Sequence, residues 1–254
     1  MKKIPLKIKK DSQVSKMEVN LRRAPNLGWI ETRLDKDCID FLWKMIEKRS
    51  GKNFKENLAG NISKSYQIPD QDDYFFKNII FPLIRRYRET YDFPMLDPVQ
   101  TYMDYETIEP FLKSFWVNYQ YKHEINPYHD HTGVYSFAIW MKIPYHWKDQ
   151  NKLPFLDGIK ESEKKIGCFE FEYTDTLGSI RNYPYRLDPN REGEMLFFPA
   201  NLRHSVYPFY DTDEPRISIS GNIYYKGTQI QLAQPKKIDI RSKGFKKQYL
   251  LLEK

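Results

Sequence analysis

Cysteine is nearly absent from this chain: Cys38 and Cys168 stand alone among 254 residues, and they form no CxxC pair. That scarcity excludes a disulfide framework and argues against a thiolate-bound zinc or an iron–sulfur cluster, and it fits a reducing compartment. Long apolar runs are missing too. No stretch approaches the ~18 apolar residues of a membrane span, and the opening MKKIPLKIKK lacks the continuous apolar segment of a signal peptide. The sequence reads as a soluble, cytoplasmic protein with no membrane partner. Negative charge is sparse at the two ends, and this is where the net +7 originates. Residues 1–23 contribute +6 and residues 236–254 contribute +5, which leaves the body at −4. A body of that sign offers no electrostatic footprint for a polyanion, so nucleic acid is not an expected partner and the basic ends read as solvated tails.

What the chain does have is a core. Hydrophobic residues make up 40 % and aromatics 16 %, enough for one large domain with appendages. The sequence divides into a basic segment over 1–23, a helical part over 24–112, a β-rich core over 113–228 and a basic extension over 229–254. In the helical part, Cys38, Phe41, Leu42, Met45 and Ile46 recur at helical spacing within 35–51, with Asp35 as N-cap and Gly51 as stop. A second helix is expected over about 71–91, kinked or split by Pro82. From about residue 102 the pattern turns to short β-rich runs at 114–121, 133–143, 167–174, 194–199, 203–209 and 215–225, with period-2 alternation in FEFEY and RISIS. Strands at this spacing predict a mainly β sandwich or barrel with helices packed outside. The charged insert over 147–166 reads as a surface loop able to cover a barrel mouth.

Histidine is scarce as well, at five residues, yet two of them stand in NPYHDHTGVYSFAIWMKIP. On a strand His129 and His131 share a side, while Asp130 faces away. His204 follows a Gly turn, a buried-looking strand and a Pro break. Arg216 then opens PRISIS, with Ser218 and Ser220 on its face and Asn222 continuing it. A buried arginine is costly unless it meets an anion, and its planar fork matches a carboxylate. On the preceding strand, Asn118, Tyr119 and Tyr121 are candidates to face the same space. His123 and His146 lack spaced partners and read as structural or surface residues.

The ordered set HDHTGVYSF, GEMLFFPANLRHSVYP and PRISISGN resembles the Fe(II)/2-oxoglutarate-dependent oxygenases over about residues 114–225. It is most similar to a branch found in phages and bacteria whose plan is like that of the prolyl 4-hydroxylases, which would place the protein in a host's cytoplasm if viral. The resemblance implies a double-stranded β-helix, or cupin-like jelly roll, over an N-terminal helical buttress, with Fe(II), 2-oxoglutarate and O2 as metal, co-substrate and oxidant. Carried over, His129 is the first iron ligand, His204 the distal ligand, Arg216 the anchor of the co-substrate's far carboxylate and Ser218 its companion. Asn118 and Tyr121 are co-substrate candidates. The family has Asp or Glu two residues after the first ligand; here stands His131. Three readings follow: a three-histidine site of His129, His131 and His204, a carboxylate from Asp130 through a bulge, or a motif starting at His131 with Gly133 leaving room for a halide.

The implied reaction is hydroxylation of an aliphatic C–H on a protein side chain or small molecule, with release of succinate and carbon dioxide. The competing reading is a cupin-like three-histidine metal protein, a thiol or diketone dioxygenase or a binding barrel, that does not use 2-oxoglutarate. Such a protein needs no carboxylate anchor twelve residues past its last ligand. Nucleic-acid demethylation is disfavoured by the acidic body and by the lack of a second arginine in RISISGN.

Overall fold

The computed structural model describes residues 27–55, 60–91 and 109–226. The basic segments expected at 1–23 and 229–254 lie outside the described residues. Among those described, no helix is long and apolar enough to cross a membrane.

Among the described residues, ten strands form two antiparallel sheets. They are β1 (Ile30–Arg33), β2 (Lys64–Gln67), β3 (Pro110–Gln120), β4 (Asn126–His129), β5 (Tyr135–Lys142), β6 (Cys168–Thr174), β7 (Ile180–Arg186), β8 (Glu194–Pro199), β9 (Arg203–Val206) and β10 (Arg216–Tyr225). The larger sheet runs β1-β8-β5-β10-β3-β2 and the smaller runs β4-β9-β6-β7. From β3 onward the chain crosses between the sheets so that the first strand of the core, β3, pairs with the last, β10, and β4 pairs with β9. That wrapping is a double-stranded β-helix, the mainly β jelly roll expected from the sequence.

Strand parity divides the core in two. Phe115, Val117, Tyr135, Phe137, Ile139, Met195, Phe197, Ile219 and Ile223 belong to one apolar cluster, which packs against the N-terminal helices. Ala138, Trp140, Leu196 and Phe198 alternate with them and join Phe169 and Phe171 between the sheets. A two-residue repeat therefore sends one side of each strand to the helices and the other to the barrel interior.

Helix α1 (Lys36–Glu47) starts where Asp35 accepts a hydrogen bond from the Cys38 N–H at 2.8 Å, and it buries Cys38, Leu42, Met45 and Ile46. It ends before the expected Gly51, because the Ser50 N–H already bonds to the Gln67 carbonyl at 2.8 Å. The second helix is distorted but not split at Pro82. A π turn over Phe76–Ile80, closed by the Phe81 N–H on the Phe76 carbonyl, runs without a break into α2 (Phe81–Tyr91) just before Pro82. Phe75 stacks on Phe115 at 5.3 Å, and Tyr87 meets Tyr135 edge-on at the same distance.

The N-terminal part is not purely helical. It also supplies β1 and β2, which flank the larger sheet on opposite edges against β8 and β3. Four-residue strands reading IETR and KSYQ carry too little pattern to stand out in sequence. β4 and β7 were not expected either. β7, IRNYPYR, is an exposed edge strand, which is where a proline such as Pro184 is tolerated. The 147–166 insert folds into the short α3 (Trp147–Gln150) and two 3-10 turns, with Gln150 fully buried and accepting from the Tyr210 N–H at 2.9 Å. It is a packed appendage.

Candidate active site

The smaller sheet brings the histidines together. His129 and His204 are direct partners across the β4–β9 ladder, so both rings leave the same face side by side. His131 lies just beyond β4, where its N–H bonds to the Ala200 carbonyl at 2.8 Å and fixes the chain. One ligand nitrogen from each ring falls within 4.8 Å of the others.

Hydrogen bonds settle which nitrogen faces inward. His129 Nδ1 lies 2.7 Å from the Pro127 carbonyl and His204 Nδ1 lies 2.9 Å from the Leu202 carbonyl. A carbonyl only accepts, so both Nδ1 atoms carry the hydrogen and both Nε2 atoms keep a lone pair. His131 Nε2 sits 3.2 Å from His204 Nε2. Burial lowers the basicity of all three rings: His131 is pushed down to about 3, first by burial and then by His129, while His204 falls well below its ordinary value and His129 below it, burial again leading. Neutral imidazoles with converging lone pairs could hold a metal ion. With metal–nitrogen bonds of about 2.0–2.1 Å, adjacent ligands at right angles stand about 3 Å apart, so the 3.2 Å contact fits a shared ion. Phe169, Phe171 and Phe198 wall the His204 ring.

Asp130 is exposed at the mouth of the same cavity and contributes no atom to the histidine cluster. Gly133 does not line the cavity. Its φ of +109° and the Ile223 carbonyl 2.7 Å from where a Cβ would stand explain the glycine as a backbone requirement.

Arg216 enters the cavity from the larger sheet. It is 1 % exposed, and among the described residues it forms no ion pair. Its Nη1 donates to the Tyr145 hydroxyl and, at 3.5 Å, to the Gly167 carbonyl; its Nη2 donates to Gln120 Oε1 and, at 3.4 Å, to the Tyr207 carbonyl. Every partner is neutral, so the cation is solvated by protein dipoles while its charge remains unbalanced. Burying such a charge is costly, and an anion relieves the cost.

A cavity of about 270 Å³ connects the two halves, lined by the three histidines, Arg216, Ser218, Ser220, Asn222 and Asn118. Trp116, Trp140, Phe169 and Phe198 add its apolar walls, and no residue of the 147–166 insert reaches it. The aromatic strand β5 thus supplies walls, while the expected cover does not lie over them. Tyr121 is not brought to the cavity. β3 ends at Gln120, and a residue three positions from Asn118 falls on the opposite side of a strand. The Tyr121 hydroxyl accepts from Lys64 Nζ at 3.1 Å instead. Tyr119 packs against Tyr66 on the outer side for the same reason. His123 and His146 stand apart, near Tyr210 and at the start of α3.

Sequence reasoning missed four residues. Gln120, two positions from Asn118, has the right parity and was legible. Trp116 shares it. Asn126, whose Nδ2 donates to His129 Nε2 at 3.2 Å, and Tyr145, beyond the end of β5, carried no local pattern.

Fold and site together place three converging imidazoles and one buried arginine in a single cavity of a jelly-roll core. Residues 114–222 match the family model described as putative 2OG-Fe(II) oxygenase, which bears out the resemblance read from the sequence. Fe(II), 2-oxoglutarate and O2 are the metal, co-substrate and oxidant that this family implies. No curated protein matches the chain. Solved structures similar to it include an oxidoreductase of the 2OG-Fe(II) oxygenase family from Burkholderia pseudomallei, at 11 % identity and TM-score 0.44, covering 78 % of this chain and 84 % of that one. A Pseudomonas putida prolyl-4-hydroxylase is similar at 12 % identity and TM-score 0.43, covering 78 % and 92 %. The non-heme alpha ketoglutarate dependent carbocyclase SnoK from nogalamycin biosynthesis is similar at 10 % identity and TM-score 0.46, covering 78 % and 79 %.

Proposed function

We propose that the chain is an Fe(II)- and 2-oxoglutarate-dependent dioxygenase that hydroxylates an aliphatic C–H of a protein side chain or small molecule. In the balanced reaction 2-oxoglutarate, O2 and R–H become succinate, CO2 and R–OH, one oxygen atom entering succinate and the other the alcohol. The observation that carries this reading is the meeting, in one cavity, of three inward-facing imidazole nitrogens and a buried arginine that has no counter-anion among the described residues.

Fe(II), when bound, supplies the redox chemistry that couples decarboxylation of the keto acid to oxidation of the C–H bond. His129, His131 and His204 would hold it, and three protein ligands leave room for a chelating keto acid and an oxidant. Arg216 would bind the far carboxylate, a charge-assisted contact contributing roughly 1.5–3 kcal/mol. Ser218 and Asn118 line the space between the anchor and the histidines, although Asn118 Oδ1 already accepts from Ser65 Oγ at 2.6 Å and so has limited freedom. Trp140, Phe169 and Phe198 keep water from the reacting atoms.

The test is an anaerobic titration with Fe(II) and 2-oxoglutarate, following the visible charge-transfer band of the chelate. His204→Ala should lose iron, and Arg216→Ala should keep iron and lose the co-substrate. A wild type that binds iron but shows no response to 2-oxoglutarate would turn the reading toward a three-histidine metalloprotein of another class.

A further inference from the structure

We infer that Gln120 is the positioning residue that holds the Arg216 fork while leaving its charge free, and that the co-substrate pocket depends on this side chain being an amide and not a carboxylate. The inference rests on the reading of Arg216 above and deepens it.

Gln120 is the direct partner of Arg216 across the β3–β10 ladder and is 2 % exposed. Its Nε2 donates to the Glu124 carbonyl at 2.7 Å. Because a carbonyl cannot donate, the amide is locked with its oxygen toward Arg216, and Gln120 Oε1 accepts from Nη2. On the other side the Tyr145 hydroxyl is locked in the same way. It donates to the Gly167 carbonyl at 2.9 Å, which leaves its oxygen to accept from Nη1. Two neutral acceptors, each with its hydrogen committed elsewhere, thus grip the guanidinium by its two terminal nitrogens. The remaining contacts, at 3.4 and 3.5 Å, are long.

Orientation is therefore fixed and neutralisation is avoided. A glutamate at position 120 has the same shape and would meet Arg216 as an ion pair, while losing the donation to the Glu124 carbonyl. Arg216 would then be satisfied internally, and an incoming carboxylate would gain little and meet a like charge. Among the described residues that line the cavity, Asp130 at the mouth is the one acidic side chain, so the anchor end of the pocket carries net positive charge. This selects for a ligand with a carboxylate remote from its metal-chelating end.

The test compares full-length wild type, Gln120→Glu and Gln120→Leu by melting temperature without ligands, by Fe(II) affinity and by calorimetric binding of 2-oxoglutarate to the anaerobic Fe(II) protein. Gln120→Glu should bind Fe(II) as the wild type does and bind 2-oxoglutarate about 100-fold more weakly or worse. Its ligand-free melting temperature should stay above that of Gln120→Leu, because the ion pair with Arg216 offsets the lost donation to the Glu124 carbonyl. Gln120→Leu keeps the charge but loses the grip, and should weaken 2-oxoglutarate by about tenfold while lowering the melting temperature. Wild-type-like co-substrate binding by Gln120→Glu, or parallel loss of iron and stability in both variants, would overturn the inference and leave Gln120 a packing residue. Failure of the iron-loaded wild type itself to bind 2-oxoglutarate would sink the oxygenase reading and the role of Gln120 with it.

Discussion

His131 and His204 stand 73 residues apart in sequence and face each other nitrogen to nitrogen at 3.2 Å. With the His204 Nδ1 hydrogen committed to the Leu202 carbonyl, its Nε2 offers only a lone pair, so His131 must turn a hydrogen or share a cation with it. The proposed iron site accordingly takes His131, and not its neighbour Asp130, as its third ligand.

Asp130→Asn is therefore expected to leave Fe(II) affinity within about threefold of wild type, whereas His131→Ala should lower it by about 100-fold or more, on the scale of a lost metal ligand. His131→Asp restores the carboxylate pattern of the resembling family and should retain iron. Metal content after dialysis against a weak chelator measures all three, and iron loss in Asp130→Asn would return the carboxylate to the first coordination sphere.

Phe75 is fully buried between the helical buttress and the larger sheet, stacked on Phe115 and 5.5 Å from Phe137. Phe75→Ala should cost about 3–5 kcal/mol, or roughly 6–20 °C in melting temperature. Its iron affinity below the transition should not change, since the histidines lie on the other side of the sheet. Thermal unfolding together with metal binding in the cold separates the two effects.

Gly133 and Gly178 both have positive φ, at +109° and +85°, but only Gly133 has close neighbours, the Ile223 carbonyl and the Tyr224 ring. Gly178→Ala should cost about 1–2 kcal/mol from backbone conformation alone. Gly133→Ala should cost more, because the Ile223 carbonyl is backbone and cannot swing aside. Urea denaturation of the two variants gives the comparison, and equal losses would show that the contact at Gly133 relaxes freely.

Cys38 and Cys168 are 1 % exposed, and burial pushes their thiols up to about 12 and about 11. The thiolate is the reactive form, so both should resist a thiol reagent between pH 7 and 9 in the native protein. Denaturation should release two equivalents. Fast labelling of either in the folded state would contradict this burial.

Much of the site was legible because its residues sit on strands whose parity can be read from the sequence. His204 is the second residue of β9 and Arg216 opens β10, where RISIS alone orders Arg216, Ser218 and Ser220. The same parity puts Gln120 on the Asn118 side of β3 and leaves Tyr121 off it. Tyr145 is different. It reaches Arg216 from beyond the end of β5, and only the closed barrel places it there. Helix α1 was legible from spacing and its Asp35 cap, while β1 and β2 were not, since four residues of mixed polarity become strands only when a neighbouring edge accepts them.

Those two short strands have a practical consequence. β1 covers the outer side of β8 and β2 covers the outer side of β3, so both flanks of the larger sheet are closed by sequence that precedes the family-matched segment. A fragment trimmed to that segment would keep every histidine and Arg216 yet bare two longer, aromatic-rich ladders to any passing chain. Such a fragment is expected to precipitate instead of binding iron, which makes the amino-terminal third a solubility partner of the barrel.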